Sequence, residues 1–385
     1  MSLTSAGAPI YLDHNATTPV DPAVLEAMLP FLQDRFGNPS SAHAYGRAAA
    51  EALARARAQV AALLEAAPEE VVFTSCATES INLAVKGVAF AGRARGRRHL
   101  VRSAVEHPAA SEACAYLARE HGFEVTAVPV ERDGRVDPAR VLAAVREDTA
   151  LVTLIHAQNE TGALQPAAEI GAALRARGVP FHVDASQSAG KVRASVRELP
   201  CDALSVAGHK LYAPKGVGAL YVRAGLQLHP LLHGAPYEGG RRGGTANVPY
   251  AVALGAACEI AGRWLASGAA ERQRALRDRL QAKLEAAAGA VLNGPREERL
   301  PNTLNASFPG VVGDELLEAA PEIAASTGSA CHAGAHEPSG VLLAMGVPPE
   351  VALGAVRLSL GRDTAEAEID LAAEALASAW RRLHR

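Results

Sequence analysis

Lys210 stands at a place in the sequence where a run of apolar residues ends and a tight loop begins. The stretch SVAGHKLYAPKGVGALYV covers residues 205–222, and Gly208, His209 and Lys210 follow its first apolar run directly. A lysine amine can bond covalently to a carbonyl compound once its proton is removed. Lys210 is therefore a candidate for covalent chemistry, while a solvated surface lysine remains the ordinary alternative at such a position.

Other residues that could do chemistry, by a polar side chain or by a backbone N–H group at a helix start, follow the ends of neighbouring apolar runs. They are Cys76, Ala77 and Thr78 after VVFTS; Glu106 and His107 after HLVRSAV; Gln158 and Asn159 after ALVTLIHA; and Asp184 and Gln187 at the end of VPFHVDA. Each has an ordinary structural explanation alone, as a turn residue, a cap or a packed ring. Together they form the set that pyridoxal phosphate needs: an amine for a covalent bond, a carboxylate for the ring nitrogen, a helix start for the phosphate and a flat side chain to stack on the ring.

A sheet must bring these residues together, and the alternation of apolar and helical segments predicts one. The predicted strands are 71–75, 99–105, 123–130, 150–157, 179–185, 202–208 and 216–222. Helical periods between most of them indicate a mainly parallel sheet covered on both faces. No helix separates the last two strands, which are predicted to form a hairpin or an antiparallel pair. In such α/β folds, ligands bind at the carboxyl ends of the strands, where these polar residues lie.

After Asn247 the sequence predicts a smaller α/β domain. Its expected elements are a long Ala- and Arg-rich helical stretch to about residue 290, strands at 303–308 and 355–360, a helix from Asp314 and a final helix to Arg385. We expect residues 15–255 to form a large cofactor-binding domain, and residues 1–14 and 256–385 to form a small domain.

Composition narrows the function further. The chain has 385 residues, is 49% hydrophobic and 21% charged, and carries a net charge of −3, which gives no reason to expect a nucleic-acid or membrane surface. Its beginning, MSLTSAGAP, has no signal-peptide pattern. The five cysteines are scattered without a C-x-x-C pair, which argues against a disulfide framework or a zinc site and favours a cytoplasmic location. Cys114 and Cys258 lie in helical patterns and are predicted to be core residues.

The motifs resemble, in type and in order, those of the cysteine desulfurases, within the class V branch of aminotransferase-fold pyridoxal-phosphate enzymes. The resemblance extends over about residues 10–365. Its segments are YLDHNATTPVDP (11–22), FGNPSSAHAYGR (36–47), FTSCATESINLA (73–84), EHPA (106–109), NETG (159–162), HVDASQSAGK (182–191), GHKLYAPKG (208–216), GGTAN (243–247), GSACHAGAHEPS (328–339) and RLSLG (357–361). The resemblance implies a fold-type I transferase, with pyridoxal 5'-phosphate as cofactor, L-cysteine as substrate and a homodimeric assembly.

The resemblance also implies a role for each site residue. The cofactor set is Ala77, Thr78 and His209 at the phosphate, Asn159 and Gln187 at the ring hydroxyl, Asp184 at the pyridine nitrogen, His107 stacked on the ring and moving protons, and Lys210 at the covalent bond. Thr245 matches a phosphate ligand that the partner subunit supplies in the family. Arg357, with Asn159, matches the group that binds the substrate carboxylate, a task suited to a guanidinium fork. Cys331 matches the nucleophile.

Cys331 can also be interpreted from its surroundings alone. It lies in STGSACHAGAHEPSG (326–340), which has three Gly and four Ser or Thr among fifteen residues, a composition typical of a solvent-reachable loop. His332 and His336 are close in sequence and would favour the thiolate. The alternatives are a free surface thiol and, with these two histidines, a metal site that would lack a fourth ligand.

The resemblance implies that the enzyme converts L-cysteine to L-alanine, collects the sulfur as a persulfide on Cys331 and donates it to an acceptor, for example an iron–sulfur scaffold. The chain departs from the family at Ala207, where a serine is usual, at Gln158, at Cys76 and in residues 233–245, and it stops after one terminal helix where longer desulfurases continue. We expect Cys76 to serve packing. Selenocysteine lyase, class V aminotransferase and a binding protein without catalysis are the alternative functions.

Overall fold

Twelve strands and twelve helices lie in the part of the chain, residues 8–328 and 337–384, that this computed structural model describes. The strands are β1 (Ile10–Tyr11), β2 (Val71–Thr74), β3 (His99–Ser103), β4 (Glu124–Val128), β5 (Thr149–Ile155), β6 (Phe181–Asp184), β7 (Ala203–Ala207), β8 (Gly218–Val222), β9 (Val291–Leu292), β10 (Thr303–Ser307), β11 (Ile323–Ala324) and β12 (Ala355–Ser359). The helices are α1 (Pro22–Gln33), α2 (Ala44–Leu64), α3 (Ala77–Arg93), α4 (Pro108–His121), α5 (Pro138–Ala144), α6 (Ala167–Ala176), α7 (Val248–Ala266), α8 (Ala269–Ala288), α9 (Gly313–Glu318), α10 (Gly340–Ala344), α11 (Pro349–Ala352) and α12 (Glu366–Leu383). None of these helices is long and apolar enough to cross a membrane.

The main sheet has seven strands in the order β2-β8-β7-β6-β5-β3-β4. Neighbours from β7 to β4 are parallel, whereas β8 runs antiparallel to both β7 and β2. The predicted mainly parallel seven-stranded sheet is therefore confirmed, as is the antiparallel pairing of the last two predicted strands.

Helices cover both faces of this sheet because neighbouring strand residues point to opposite sides. Leu100 and Leu151 pack with α3 and α4 in one hydrophobic cluster. The next residues along the same strands, Val101 and Val152, pack with α2, α6 and α7 in another. Every residue of β5 is buried, as expected for a strand with helices on both sides.

A smaller antiparallel sheet, in the order β12-β10-β9, packs with α8, α9 and α12 around a separate hydrophobic cluster. The N-terminal segment joins this part of the chain: Leu12 belongs to the same cluster, and β1 pairs in parallel with β11. The helical stretch predicted to about residue 290 is divided between α7 and α8 at Gly268, whose φ is +74°. The predicted domain boundary at residue 255 falls inside α7 and stays a prediction.

Candidate active site

A cleft of about 230 Å³ opens at the carboxyl ends of the parallel strands. Its walls are formed by Ala16, Cys76, Ala77, Thr78, Ile81, His107, Ile155, Asn159, Asp184, Ser186, Gln187, Ala207, His209 and Lys210. The structure thus brings together eight predicted site residues: Ala77, Thr78, His107, Asn159, Asp184, Gln187, His209 and Lys210. Thr245 and Arg357 lie outside this wall, and Cys331 lies outside the described residues.

One end of the cleft is formed by the start of α3. Cys76 occupies the N-cap position, but its side chain makes no capping hydrogen bond. Within the described part of the chain, the backbone N–H groups of Ala77 and Thr78 donate no hydrogen bond. Unpaired N–H groups at a helix start, with the Thr78 hydroxyl beside them, are the donors that a phosphate group takes up.

Asp184 is the last residue of β6 and is almost fully buried in the cleft wall. Its Oδ1 accepts hydrogen bonds from the Ser186 backbone N–H at 2.9 Å and from the Ser186 hydroxyl at 2.5 Å. Its Oδ2 has no hydrogen bond within the described residues. An oriented carboxylate with one spare oxygen suits a protonated ring nitrogen, because the charge-assisted bond pairs two groups that would otherwise be buried alone.

Lys210 ends the short 3₁₀ turn Gly208–Lys210 that follows β7 directly. A Cβ atom on Gly208 would lie 2.7 Å from the Val217 carbonyl oxygen, so only glycine fits at the start of this turn. Burial lowers the pKa of Lys210 to about 8; Asp184 opposes this shift and the Arg357 charge adds to it. A larger fraction of the amine is therefore neutral near pH 7 than in an exposed lysine, which favours nucleophilic attack.

The two cleft histidines are held as neutral rings. Burial is the main cause of the lowered pKa of His107, with Lys210 adding to it and Asp184 opposing it. The His107 Nδ1 accepts the Ala109 backbone N–H at 3.1 Å, so the neutral ring carries its proton on Nε2. Burial, together with the nearby lysine charges, lowers the pKa of His209 to about 4, and its Nδ1 lies 3.2 Å from the Thr17 hydroxyl. His107 can thus stack as a flat, uncharged ring.

Asn15 and Lys191, for which the sequence analysis predicted no role, contact the cleft residues Gln187 and Asn159 on the side away from the cleft. The Lys191 Nζ donates to the Gln187 Oε1 and to the Asn15 Oδ1, both at 2.8 Å. The Gln187 Nε2 donates to the Asn15 carbonyl oxygen at 2.9 Å, and the Asn15 Nδ2 donates to the Asn159 carbonyl oxygen at 3.2 Å. Both residues lie in motifs that carry the family resemblance, which is the signal that could have found them.

Arg357 lies in β12 beside the cleft and reaches it through Asn159. Its Nη2 pairs with the Asp13 Oδ1 at 2.7 Å, and its Nη1 donates to the Asn159 carbonyl oxygen at 3.3 Å. Its Nε is buried without a partner among the described residues. An unpaired donor on a buried guanidinium is costly unless an acceptor occupies it, and a substrate carboxylate would supply one.

Thr245 lines a second cleft of about 130 Å³, away from Lys210. Thr74, Ser75, Arg242 and Gly244 are among the residues that share its walls. The Arg242 Nε pairs with the Glu79 Oε1 at 3.0 Å, which links this second cleft to the first turn of α3. Thr245 is therefore near the helix that begins the main cleft, but not in that cleft.

Glu160 connects the main cleft with the chain on both sides of the segment that carries Cys331. Its Oε2 accepts the Ser339 hydroxyl at 2.5 Å. Gly328 packs so closely on the same carboxylate that an added Cβ atom would lie 2.7 Å from Oε2, and its φ of +83° also requires glycine. Burial raises the pKa of Glu160, while Ser339 and Arg357 oppose the shift.

The single residues that depart from the family pattern lie in the wall of the main cleft or support the loop that carries Asn159. Cys76 and Ala207 both line the main cleft, where Ala207 offers no hydroxyl. The Gln158 Oε1 accepts the backbone N–H groups of Glu160 and Thr161 at 2.5 and 3.2 Å, so it shapes the loop that carries Asn159. Cys114 and Cys258 are fully buried, as predicted.

Comparison with known proteins adds independent findings. The profile of the aminotransferase class V family matches residues 10–371. "Cysteine desulfurase IscS" of Anaeromyxobacter sp. (strain Fw109-5) is 49% identical over 366 residues, covering 94% of this chain and 90% of that protein. A solved "NifS-like protein" superposes with a TM-score of 0.90 at 39% identity, covering 96% of this chain and 98% of the other. A structure described as "SspA in complex with cysteine" has a TM-score of 0.80 at 37% identity, with 91% and 98% covered.

Proposed function

The chain belongs to the class V aminotransferase family, in its cysteine desulfurase branch, and we propose that Lys210, His107, Arg357 and Cys331 perform its reaction. The protein is a pyridoxal-phosphate-dependent cysteine desulfurase. One observation carries the assignment of residues: the low-pKa amine of Lys210, the oriented carboxylate of Asp184 and the unpaired N–H groups of α3 line the same cleft.

The cleft fits the cofactor by its donor set. The start of α3 and His209 would hold the phosphate, Asp184 the ring nitrogen, and Gln187 and Asn159 the ring oxygen. When bound, pyridoxal 5'-phosphate supplies an electron sink that stabilises negative charge on the carbon next to the substrate amino group.

The side chains of this protein then do the following work. Arg357 binds the substrate carboxylate, and its pairing with Asp13 fixes the direction of its fork. The Lys210 amine takes the proton from the substrate Cα, a transfer favoured by a pKa near the working pH. His107, with its proton on Nε2, can donate and recover a proton at the substrate.

Sulfur transfer needs Cys331, which lies outside the described residues. Its thiolate forms an S–S bond to the substrate sulfur, and the substrate C–S bond breaks with its electron pair remaining on carbon. A proton then completes the methyl group of L-alanine, so no external oxidant or reductant is consumed. The position of Glu160 supports this role, because the segment carrying Cys331 starts and ends against a side chain adjacent to Asn159.

The direct test is intact mass and peptide mapping after the protein is incubated with pyridoxal phosphate and L-cysteine without reductant. We expect one added sulfur on the Cys331 peptide and L-alanine in solution, with the peptide that carries Cys76 serving as an internal control. Cys331→Ala should keep the cofactor spectrum and make no persulfide. Persulfide formation at the normal rate in that variant, or sulfur on Cys76 instead, would overturn the assignment.

We further propose a homodimer. Helix α1 and the chain around it expose large apolar side chains, namely Leu25, Leu29, Leu32, Phe36 and Tyr45. Exposed apolar patches of this kind are typical of contact surfaces, and Thr245 stands outside the main cleft of its own chain, as expected if it completes the partner's cleft. Light scattering should give twice the chain mass, and Leu29→Glu should lower it.

A cytoplasmic location and a protein sulfur acceptor, such as an iron–sulfur scaffold, complete the proposal. The free thiols Cys76, Cys114, Cys201 and Cys258 support a reducing compartment. The cleft wall at Ala207 lacks a hydroxyl that the family usually has, which favours testing selenocysteine lyase activity as a second candidate. Parallel assays with cysteine, selenocysteine and alanine as substrates separate desulfurase, lyase and aminotransferase.

A further inference from the structure

Lys191 is a buried lysine four residues after Gln187, and it does not line the main cleft. Its Nζ makes 2.8 Å hydrogen bonds to the Gln187 Oε1 and the Asn15 Oδ1. Burying a lysine costs considerable free energy unless its donors are paired. A side chain whose burial costs free energy thus lies directly behind Gln187, a residue of the cleft wall.

The contacts of Gln187 allow only one orientation of its amide group. Its Oε1 faces the Lys191 amine, a donor, and its Nε2 faces the Asn15 carbonyl oxygen, an acceptor, at 2.9 Å. Rotating the amide by half a turn would place donor against donor and acceptor against acceptor. The second N–H of the Gln187 Nε2 is consequently the group available to a ligand in the cleft, and it can only donate.

The protonation state of Lys191 does not change this conclusion. Burial lowers the pKa of Lys191 well below its ordinary value, and the charges of Lys210, Arg357 and Arg362 add to the shift. A neutral amine has two N–H donors and a charged one has three. Either form can serve both the Gln187 and the Asn15 oxygens. The neutral form also has a lone pair, but the Asn15 carbonyl oxygen still disfavours the turned amide, whose oxygen would face it.

We propose that Lys191 is a positioning residue that locks Gln187 as a hydrogen-bond donor to an anionic oxygen of the cofactor ring. The inference rests on the proposed cofactor site. Without Lys191, the Gln187 Oε1 loses its donor, and only the bond from Nε2 to the Asn15 carbonyl oxygen still favours the observed orientation. With this weaker preference the amide turns in part of the molecules and presents an acceptor to the ring oxygen.

Lys191→Met tests the proposal, because methionine has a similar length and no donor. We expect pyridoxal phosphate to bind about 10- to 150-fold more weakly, the size of one lost hydrogen bond to a charged group, and the visible absorption maximum of the bound cofactor to move at fixed pH. Gln187→Met should produce the same two changes. Lys283→Met, which removes a surface lysine paired with Asp370, is the matched control and should leave both readouts unchanged.

A double-mutant cycle gives the decisive comparison. If Lys191 acts through Gln187, adding Lys191→Met to Gln187→Met changes cofactor affinity by less than about twofold. Additive losses would overturn the proposal, because they would show that Lys191 acts through its charge or through packing.

Further measurements distinguish failure of the Lys191 proposal from failure of the proposed cofactor site. If Lys191→Met does not fold, Gln187→Glu decides, because it keeps an acceptor for Lys191 but has no N–H; wild-type affinity and spectrum in that variant would refute the donor role. Failure of the unmodified protein to bind pyridoxal phosphate would instead refute the proposed function. Normal binding by the wild type and by Lys191→Met alike would refute only the present inference.

Discussion

Replacing Arg357 by methionine should weaken the binding of cysteine and leave the binding of the cofactor almost unchanged. Among the described residues, Arg357 bonds to the cleft wall only through the Asn159 carbonyl oxygen, and its Nε is a buried donor without a partner there. Hydrogen bonds to charged groups contribute about 1.5–3 kcal/mol each. Since 1.36 kcal/mol is a factor of ten, KM for cysteine should rise about 10- to 150-fold.

Arg357→Met should also lower the stability of the fold modestly. The variant leaves Asp13 without its guanidinium partner, but the Asp13 side chain is 20% exposed and can turn toward water. We expect a loss of about 1–2 kcal/mol in the free energy of unfolding, the range for a buried group that loses a hydrogen bond. Arg357→Lys, which keeps the charge but not the fork, should fall between the wild type and Arg357→Met.

The assay is L-alanine release against cysteine concentration, combined with titration of the cofactor-free protein with pyridoxal phosphate. Arg362→Met removes a neighbouring guanidinium that stacks over Tyr212 and Trp264, so it controls for the loss of charge. An unchanged KM in Arg357→Met, an equal rise in Arg362→Met, or a parallel loss of cofactor affinity would refute the role of Arg357 in binding the carboxylate.

Three further predictions concern Lys210, Glu106 and Ser339. The rate at which cofactor-free protein captures pyridoxal phosphate should rise with pH through a midpoint near 8, because the neutral amine reacts and burial lowers the pKa of Lys210 to about 8; a midpoint near 10 in rapid-mixing absorbance would contradict this. Burial raises the pKa of Glu106 to about 7, so the unfolded carboxyl ionises first and the contribution of Glu106 to stability falls by about 3 kcal/mol from pH 4.5 to 7. In urea unfolding, the free energy of unfolding of the wild type should therefore fall relative to that of Glu106→Gln by this amount over that range; a constant difference between the two proteins would disprove it. Ser339→Ala removes the hydroxyl bound to Glu160 and the N-cap of α10, and should slow persulfide formation on Cys331 while cofactor affinity stays normal; equal losses of both would argue against a local effect.

The sequence predicted the sheet well because most of its strands are buried on both faces, as β5 is throughout. The seven apolar runs, such as TALVTLI of β5, are too short for helices, and helical periods separate most of them. Sequence reasoning could not place the break at Gly268, because an alanine-rich pattern on both sides continues through it and only the chain's turn requires a positive φ.

The cleft was predicted only in part, because several of its hydrogen bonds join residues that are far apart in the sequence. Residues at strand ends, such as Asp184 and Lys210, share an edge by topology alone, so their meeting could be inferred. Lys191 and Glu160 act through partners far away in sequence, and no local pattern records a hydrogen bond across 176 or 179 positions. The resemblance predicted that Thr245 binds the phosphate, but within one chain Thr245 lines a different cleft.

The pairing of the first described strand with the last part of the chain has a consequence for synthesis. Asn15, which supports the cleft, bonds through its backbone N–H to the Ser359 hydroxyl, 344 positions later, and β1 waits for β11. At a translation rate of about 5–20 residues per second, the N-terminal segment leaves the ribosome about 20–70 seconds before its partners. During that interval the nascent chain has strands of the main sheet but lacks β10 and β12, whose Thr303 and Ser359 bond to Asn15. The support of Gln187 is therefore complete only after almost the whole polypeptide has been made.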